Sequence, residues 1–72
     1  MSLFQVNHLT LLVLRDHGVE FIGLQRDPNK NTATFEDIRF EGDITPDLYT
    51  ILINIKKVGN GEGYDIKKIK GI

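Results

Sequence analysis

Seventy-two residues at 8.2 kDa, 40% hydrophobic and 26% charged, make room for one small domain, residues 1–72, and not for a second. The absence of cysteine excludes disulfides and thiolate metal sites. Two separated histidines do not make a zinc site, and the longest apolar run, Leu11–Leu14, is too short for a membrane span or a signal peptide. The net charge of −1 is not that of a chain basic throughout, and a core this small supplies about 3–5 kcal/mol, which makes self-association the expected staple.

Val, Ile, Phe, Tyr and Thr account for 24 of the 72 residues, and alanine occurs once, a composition suited to pleated strands. Met1–Asn7 fits a short helical turn. His8–Arg15 is nearly continuous in apolar residues and predicts a first strand buried on both faces. Asp16-His17-Gly18 then reads as a tight turn, with glycine supplying positive φ. Ser2–Leu14 also fits a helix with Gly18 just past its end. Val19–Gln25 is the second strand, and Arg26–Asn31, built on Asp27-Pro28-Asn29, is a turn. Thr32–Phe40 is the third strand. Its apolar positions 33, 35, 38 and 40 change parity once, which places a bulge near Glu36-Asp37.

Glu41–Leu48 is a loop in which Thr45-Pro46-Asp47 can open a helical turn. Tyr49–Val58 alternates at Tyr49, Ile51, Ile53 and Ile55 and gives the fourth strand, favoured by β-branched residues at 50, 51, 53 and 55. Leu48, Ile51, Leu52 and Ile55 trace a helical face through the same segment, so an α+β fold with a helix in residues 46–58 is the alternative. Gly59-Asn60-Gly61-Glu62-Gly63 is a hairpin loop, and Tyr64–Lys70 is the fifth strand. Five short, closely connected strands imply an all-β fold, a small, strongly bent antiparallel barrel. Its open edges invite edge-to-edge pairing between subunits, and a head-to-tail contact of that kind closes into a ring.

Charge divides along the chain. Residues 1–48 carry four basic residues against eight acidic ones, and residues 49–72 carry five lysines against Glu62 and Asp65. A basic C-terminal part suits nucleic acid, the acidic face of a neighbouring subunit, or lysines guarding strand edges.

Leu14-Arg15-Asp16-His17-Gly18, Val19–Ile22, Gly23-Leu24, and Asp27 with Asn31 after three intervening residues resemble the first motif of the Sm-like superfamily, which includes the LSm proteins and bacterial Hfq. Ile66-Lys67-Lys68-Ile69-Lys70-Gly71-Ile72 resembles the second, with Lys-Gly where Arg-Gly is usual. The resemblance covers residues 8–40 and 64–72. It implies a homo-oligomeric ring that binds single-stranded RNA near its pore. Carried over by position, its contacts are Asp27, Asn29, Asn31, Lys70 and Gly71. Asn31 offers an amide to a base edge, Asp27 orients it, Lys70 meets phosphate and Gly71 permits close backbone approach. Asn29 stands where the family stacks a base. Lys56, Lys67, Lys68 and Lys70 form the expected electrostatic footprint on RNA or single-stranded DNA. Tyr64, Tyr49 and Phe40 are available for stacking, but their parity with apolar neighbours assigns them to the core.

No nucleophile constellation is visible: Ser2 is the sole serine, and His17 beside Asp16 reads as turn chemistry. His8, at a strand start, reads as a surface residue. The Gly59–Gly63 loop lacks the lysine and helix of a phosphate loop. The expected protein is a non-enzymatic, cytoplasmic, ring-forming binder of single-stranded RNA or DNA, with no cofactor, metal or membrane. The alternative is a structural or protein–protein interaction module, homo-oligomeric and without nucleic-acid binding.

Overall fold

In the computed structural model, which describes residues 3–59 and 61–66, Asn7 ends one element and caps the next. Strand β1 (Phe4–Asn7) runs directly into helix α1 (His8–Asp16). The Asn7 carboxamide accepts the Leu9 N–H at 2.7 Å, satisfying one of the donors a helix start leaves open. Leu11 and Leu14 enter the core at 1% and 0% exposed, each worth about 1.5–3 kcal/mol of burial. At the other end the Val19 N–H donates to the Leu14 carbonyl at 3.0 Å and the Gly18 N–H to the Arg15 carbonyl at 2.9 Å, with Gly18 at φ +89°. This is a Schellman closure, completed by Val19 buried beside Leu14.

The strand expected over His8–Arg15 is therefore a helix, and within the helical turn expected at Met1–Asn7 the residues Phe4–Asn7 are a strand. The reason is physical. A left-handed glycine serves a hairpin turn and a helix stop equally well. A run with apolar residues on every side reads as a doubly buried strand, yet Leu9, Leu12 and Val13 are exposed here. Gly18 past the helix end is the feature the alternative reading of this segment captured.

The middle of the chain is one bent hairpin. Strands β2 (Glu20–Ile22) and β5 (Asp37–Arg39) pair as a two-stranded sheet. Strands β3 (Gln25–Asp27) and β4 (Thr32–Phe35) pair within a larger one. The register runs unbroken from Glu20 opposite Arg39 to Asp27 opposite Thr32. The bend lies at Gly23 (φ +69°) on one arm and Glu36 on the other, joined by the Glu36 N–H to the Ile22 carbonyl at 2.9 Å. A side chain at Gly23 would press on the Glu36 side chain at 2.9 Å. The parity change in the sequence marks this corner: Phe35 and Ile38 are both buried although odd and even. The expected second and third strands are thus each split in two, the turn between them begins only after Asp27, and a bend with no extra residue stands where the bulge was expected.

Helix α2 (Pro46–Ile53) replaces the first half of the expected fourth strand. Thr45 Oγ1 accepts the Leu48 N–H at 3.2 Å, Pro46 opens the first turn, and Asp47 sits at the positive end of the helix. Burial of Leu48 and Leu52 outweighs the cost of β-branched residues at 50, 51 and 53. The alternation at 49, 51, 53 and 55 is real in the sequence, but its residues differ in burial: Ile55 is buried, and Tyr49 and Ile53 are exposed. The helix lies within the segment assigned to it by the α+β alternative. Strand β6 (Lys56–Lys57) follows, and the Lys57 N–H donates to the Glu62 carbonyl at 2.6 Å as the chain turns back through the glycine-rich loop. Tyr64–Ile66 is not a strand, and the rest of the expected fifth strand lies outside the described residues.

The larger sheet is antiparallel, ordered β3-β4-β1-β6. Helix α1 packs on β1, β4 and α2, and Leu48 and Leu52 of α2 join Leu11 and Leu14 in one core. Phe35, fully buried, is the centre of an aromatic group, with ring centroids 5.7 Å from Phe4, 5.0 Å from Phe21 and 6.3 Å from Tyr64. No closed barrel forms among the described residues: two segments expected to close it are helices, and β3 and β6 remain edges. The fold is small, built of antiparallel sheets with two helices.

Candidate functional site

Alternation along the larger sheet sends Val6, Ala33 and Phe35 to the core and turns the intervening residues outward. Gln25, Thr34, Gln5 and Lys56 fall in one row across the four strands, and Asp27, Thr32 and Asn7 in the next. Gln5, Asn7, Gln25 and Lys56 are exposed. A shallow concavity of about 430 Å³ lies over this face, with Arg26 and Lys30 at its rim and Val58 at its end.

Four of the expected contact residues belong to this surface or its edge. Asp27 closes β3, Asn29 and Asn31 follow in the β3–β4 loop, and Lys56 lies in the row of Gln25, three strand steps across from it, about 14 Å. Asp27 is committed to the loop itself: its Oδ1 accepts the Asn29 N–H at 3.0 Å, and its carbonyl accepts the Lys30 N–H at 3.2 Å. Asn31 holds a left-handed backbone, φ +54°, which asparagine tolerates better than most residues. Lys67, Lys68, Lys70 and Gly71 lie outside the described residues. Arg26 and Lys30 were not among the expected contacts: the sequence assigned both to a turn, whereas Arg26 lies in β3. Of the aromatic residues considered for stacking, Tyr64 and Phe40 are buried, as their parity indicated, whereas Tyr49 is 48% exposed on α2.

Both histidines make structural hydrogen bonds. His8 Nε2 donates to the Thr32 carbonyl at 3.0 Å, and His17 Nδ1 to the Val13 carbonyl at 2.8 Å, covering an end of α1. No group of three or more His, Asp or Glu side chains placed to hold a metal occurs among the described residues. No described helix is long and apolar enough to cross a membrane.

A second cleft, about 320 Å³, opens beside Tyr64, between Phe4, Asp37 and Lys57. The Tyr64 hydroxyl donates to Asp37 Oδ1 and accepts the Ile38 N–H at 3.2 Å. Asp37 Oδ1 also takes the Ile38 N–H at 2.8 Å, so the tyrosine fastens the segment after the glycine loop to β5. Burial, and then the bond to Asp37, push the phenol above its usual pKa of 10.0. A phenol raised in the folded state contributes stability that is fully present below pH 10.0 and is lost as the pH climbs past it. Tyr64→Phe is expected to cost about 1–2 kcal/mol at neutral pH, by leaving the half-buried Asp37 short of a donor. It is also expected to shallow the loss of stability in alkali. Urea titrations at about pH 7 and about pH 11 check both effects. An equal alkaline decline in parent and variant would count against the tyrosine's role.

The third surface is the outward side of α1. At 100° per residue, Leu9, Leu12 and Val13 lie opposite the buried pair Leu11 and Leu14. They are 71%, 57% and 42% exposed. Helical periodicity applied to residues 8–16 finds this stripe in the sequence; the strand reading concealed it. Comparison with protein-family models, with curated proteins and with solved structures finds no match to this chain.

Proposed function

We propose that this chain is a non-enzymatic interaction module that assembles with copies of itself. The observation that carries the reading is the apolar surface left outside the core. Among the described residues, seven large hydrophobic side chains are between 39% and 71% exposed, and three of them form one stripe on α1. A domain of this size gains stability by covering such surface. The mass in solution, measured by light scattering across a concentration series, is expected to exceed the 8.2 kDa of one chain. A single-chain mass at every concentration overturns the reading.

A second reading is a surface for single-stranded RNA or DNA, and the outward face of the sheet favours it. Arg26 and Lys30 line the concavity, Arg26 from the core-facing row of Ala33 and Val6, and Lys56 lies in the row of Gln25, Thr34 and Gln5, among amide and hydroxyl side chains able to pair with base edges and sugars. The Sm-like resemblance, a ring of subunits around a strand, points the same way. Labelled oligonucleotides, titrated at about 50 mM and about 200 mM salt, are expected to bind more tightly at the lower concentration. Arg26→Glu with Lys30→Glu and Lys56→Glu is expected to abolish that binding while the mass is unchanged. Equal affinity in parent and triple variant removes this face from consideration.

A further inference from the structure

We infer that the outward face of α1 is a self-docking surface, and that two copies pair their α1 helices antiparallel about a two-fold axis near Leu12 and Val13. This rests on the self-assembly reading above and names the surface and geometry that carry it. Leu9, Leu12, Val13 and Asp16 follow the spacing i, i+3, i+4, i+7, so all four lie along one side of the helix, away from Leu11 and Leu14. Three of the four are apolar and exposed.

The fourth residue selects the partner and its direction. Asp16 is the last residue of α1, where a carboxylate meets the negative end of its own helix. The first turn of α1 carries no acidic residue. In an antiparallel pair, Asp16 of each copy lies beside Leu9 of the other, at the positive end of the partner helix, and Leu12 packs on Val13. The arrangement turns two unfavourable charge placements into two favourable ones, and a two-fold axis repeats each contact. A parallel pair would set the two Asp16 carboxylates side by side.

The helix has nine residues, about 13.5 Å, so the seam is short. An interface of that size belongs with weak, reversible contacts, and the dimer is expected to dissociate within the micromolar range.

The chain has no cysteine, so single-cysteine variants report one position each. The test combines sedimentation equilibrium from about 1 to about 200 µM with mild oxidation. Leu12→Glu is expected to raise the dissociation constant about tenfold or more, with an unchanged circular dichroism spectrum. Leu12→Cys is expected to cross-link to itself. Leu9→Cys is expected to cross-link to Asp16→Cys in a mixture but not to itself, since the two Leu9 positions are about 10 Å apart along the axis and a disulfide spans Cα atoms up to about 7 Å apart. An assembly that survives Leu12→Glu and yields no cross-link at position 12 overturns this inference and leaves self-assembly standing on another surface. Self-cross-linking of Leu9→Cys without a cross-link to Asp16→Cys overturns the antiparallel geometry. A single-chain mass at all concentrations overturns both readings.

Discussion

Phe35→Ala is expected to leave the chain without a cooperative unfolding transition at room temperature. Phe35 is 0% exposed, and its ring lies within 6.3 Å of the Phe4, Phe21 and Tyr64 rings, so three segments of the chain meet on it. Removing a buried phenylalanine costs about 3–5 kcal/mol in transfer energy and cavity. The lost aromatic contacts lie on top of that. A core of this size supplies about 3–5 kcal/mol in all, so the loss equals the total. Thermal melts followed by circular dichroism check it. A sigmoidal transition within a few degrees of the parent's would mean that the aromatic group is not the keystone of the core.

The second large effect is a contrast between neighbours. Leu11→Ala is expected to cost about 2–5 kcal/mol, because Leu11 is 1% exposed under the sheet. Leu12→Ala is expected to cost less than about 0.5 kcal/mol in the single chain, because Leu12 is 57% exposed. A strand buried on both faces would make the two substitutions comparable. Urea titration of both variants at a concentration below that of self-association separates the cases. Similar losses for both would place residues 8–16 in a different environment from the one described.

These contrasts also show what was legible beforehand. The bent hairpin was readable because its signals are local. Asp27-Pro28-Asn29 makes the turn through a side-chain hydrogen bond two residues on, Gly23 supplies a backbone few residues adopt, and the parity change between Phe35 and Ile38 records the corner. Gly18 was readable as a left-handed position, but the sequence left open whether it stops a helix or closes a hairpin, since the same φ serves both. Of the candidate site, Asp27, Asn29 and Asn31 were placed together by sequence proximity alone. That Lys56 shares their sheet, with Arg26 and Lys30 at the rim, depends on β1 entering between β4 and β6, a pairing between distant segments.

The sequence by itself determined the absence of disulfides, the β-rich composition, the hairpin at its centre and one helix start, written as Thr45-Pro46 before α2; the cap at Asn7 emerged only in the structure. The tertiary structure decided whether the apolar segments after those caps were helix or strand. Local propensity differs between the two states by a fraction of a kcal/mol per residue, and burying Leu11, Leu14, Leu48 and Leu52 in one core is worth several times that. The same choice left Leu9, Leu12 and Val13 outside, because a nine-residue helix packed on one side of a sheet has only one side to bury.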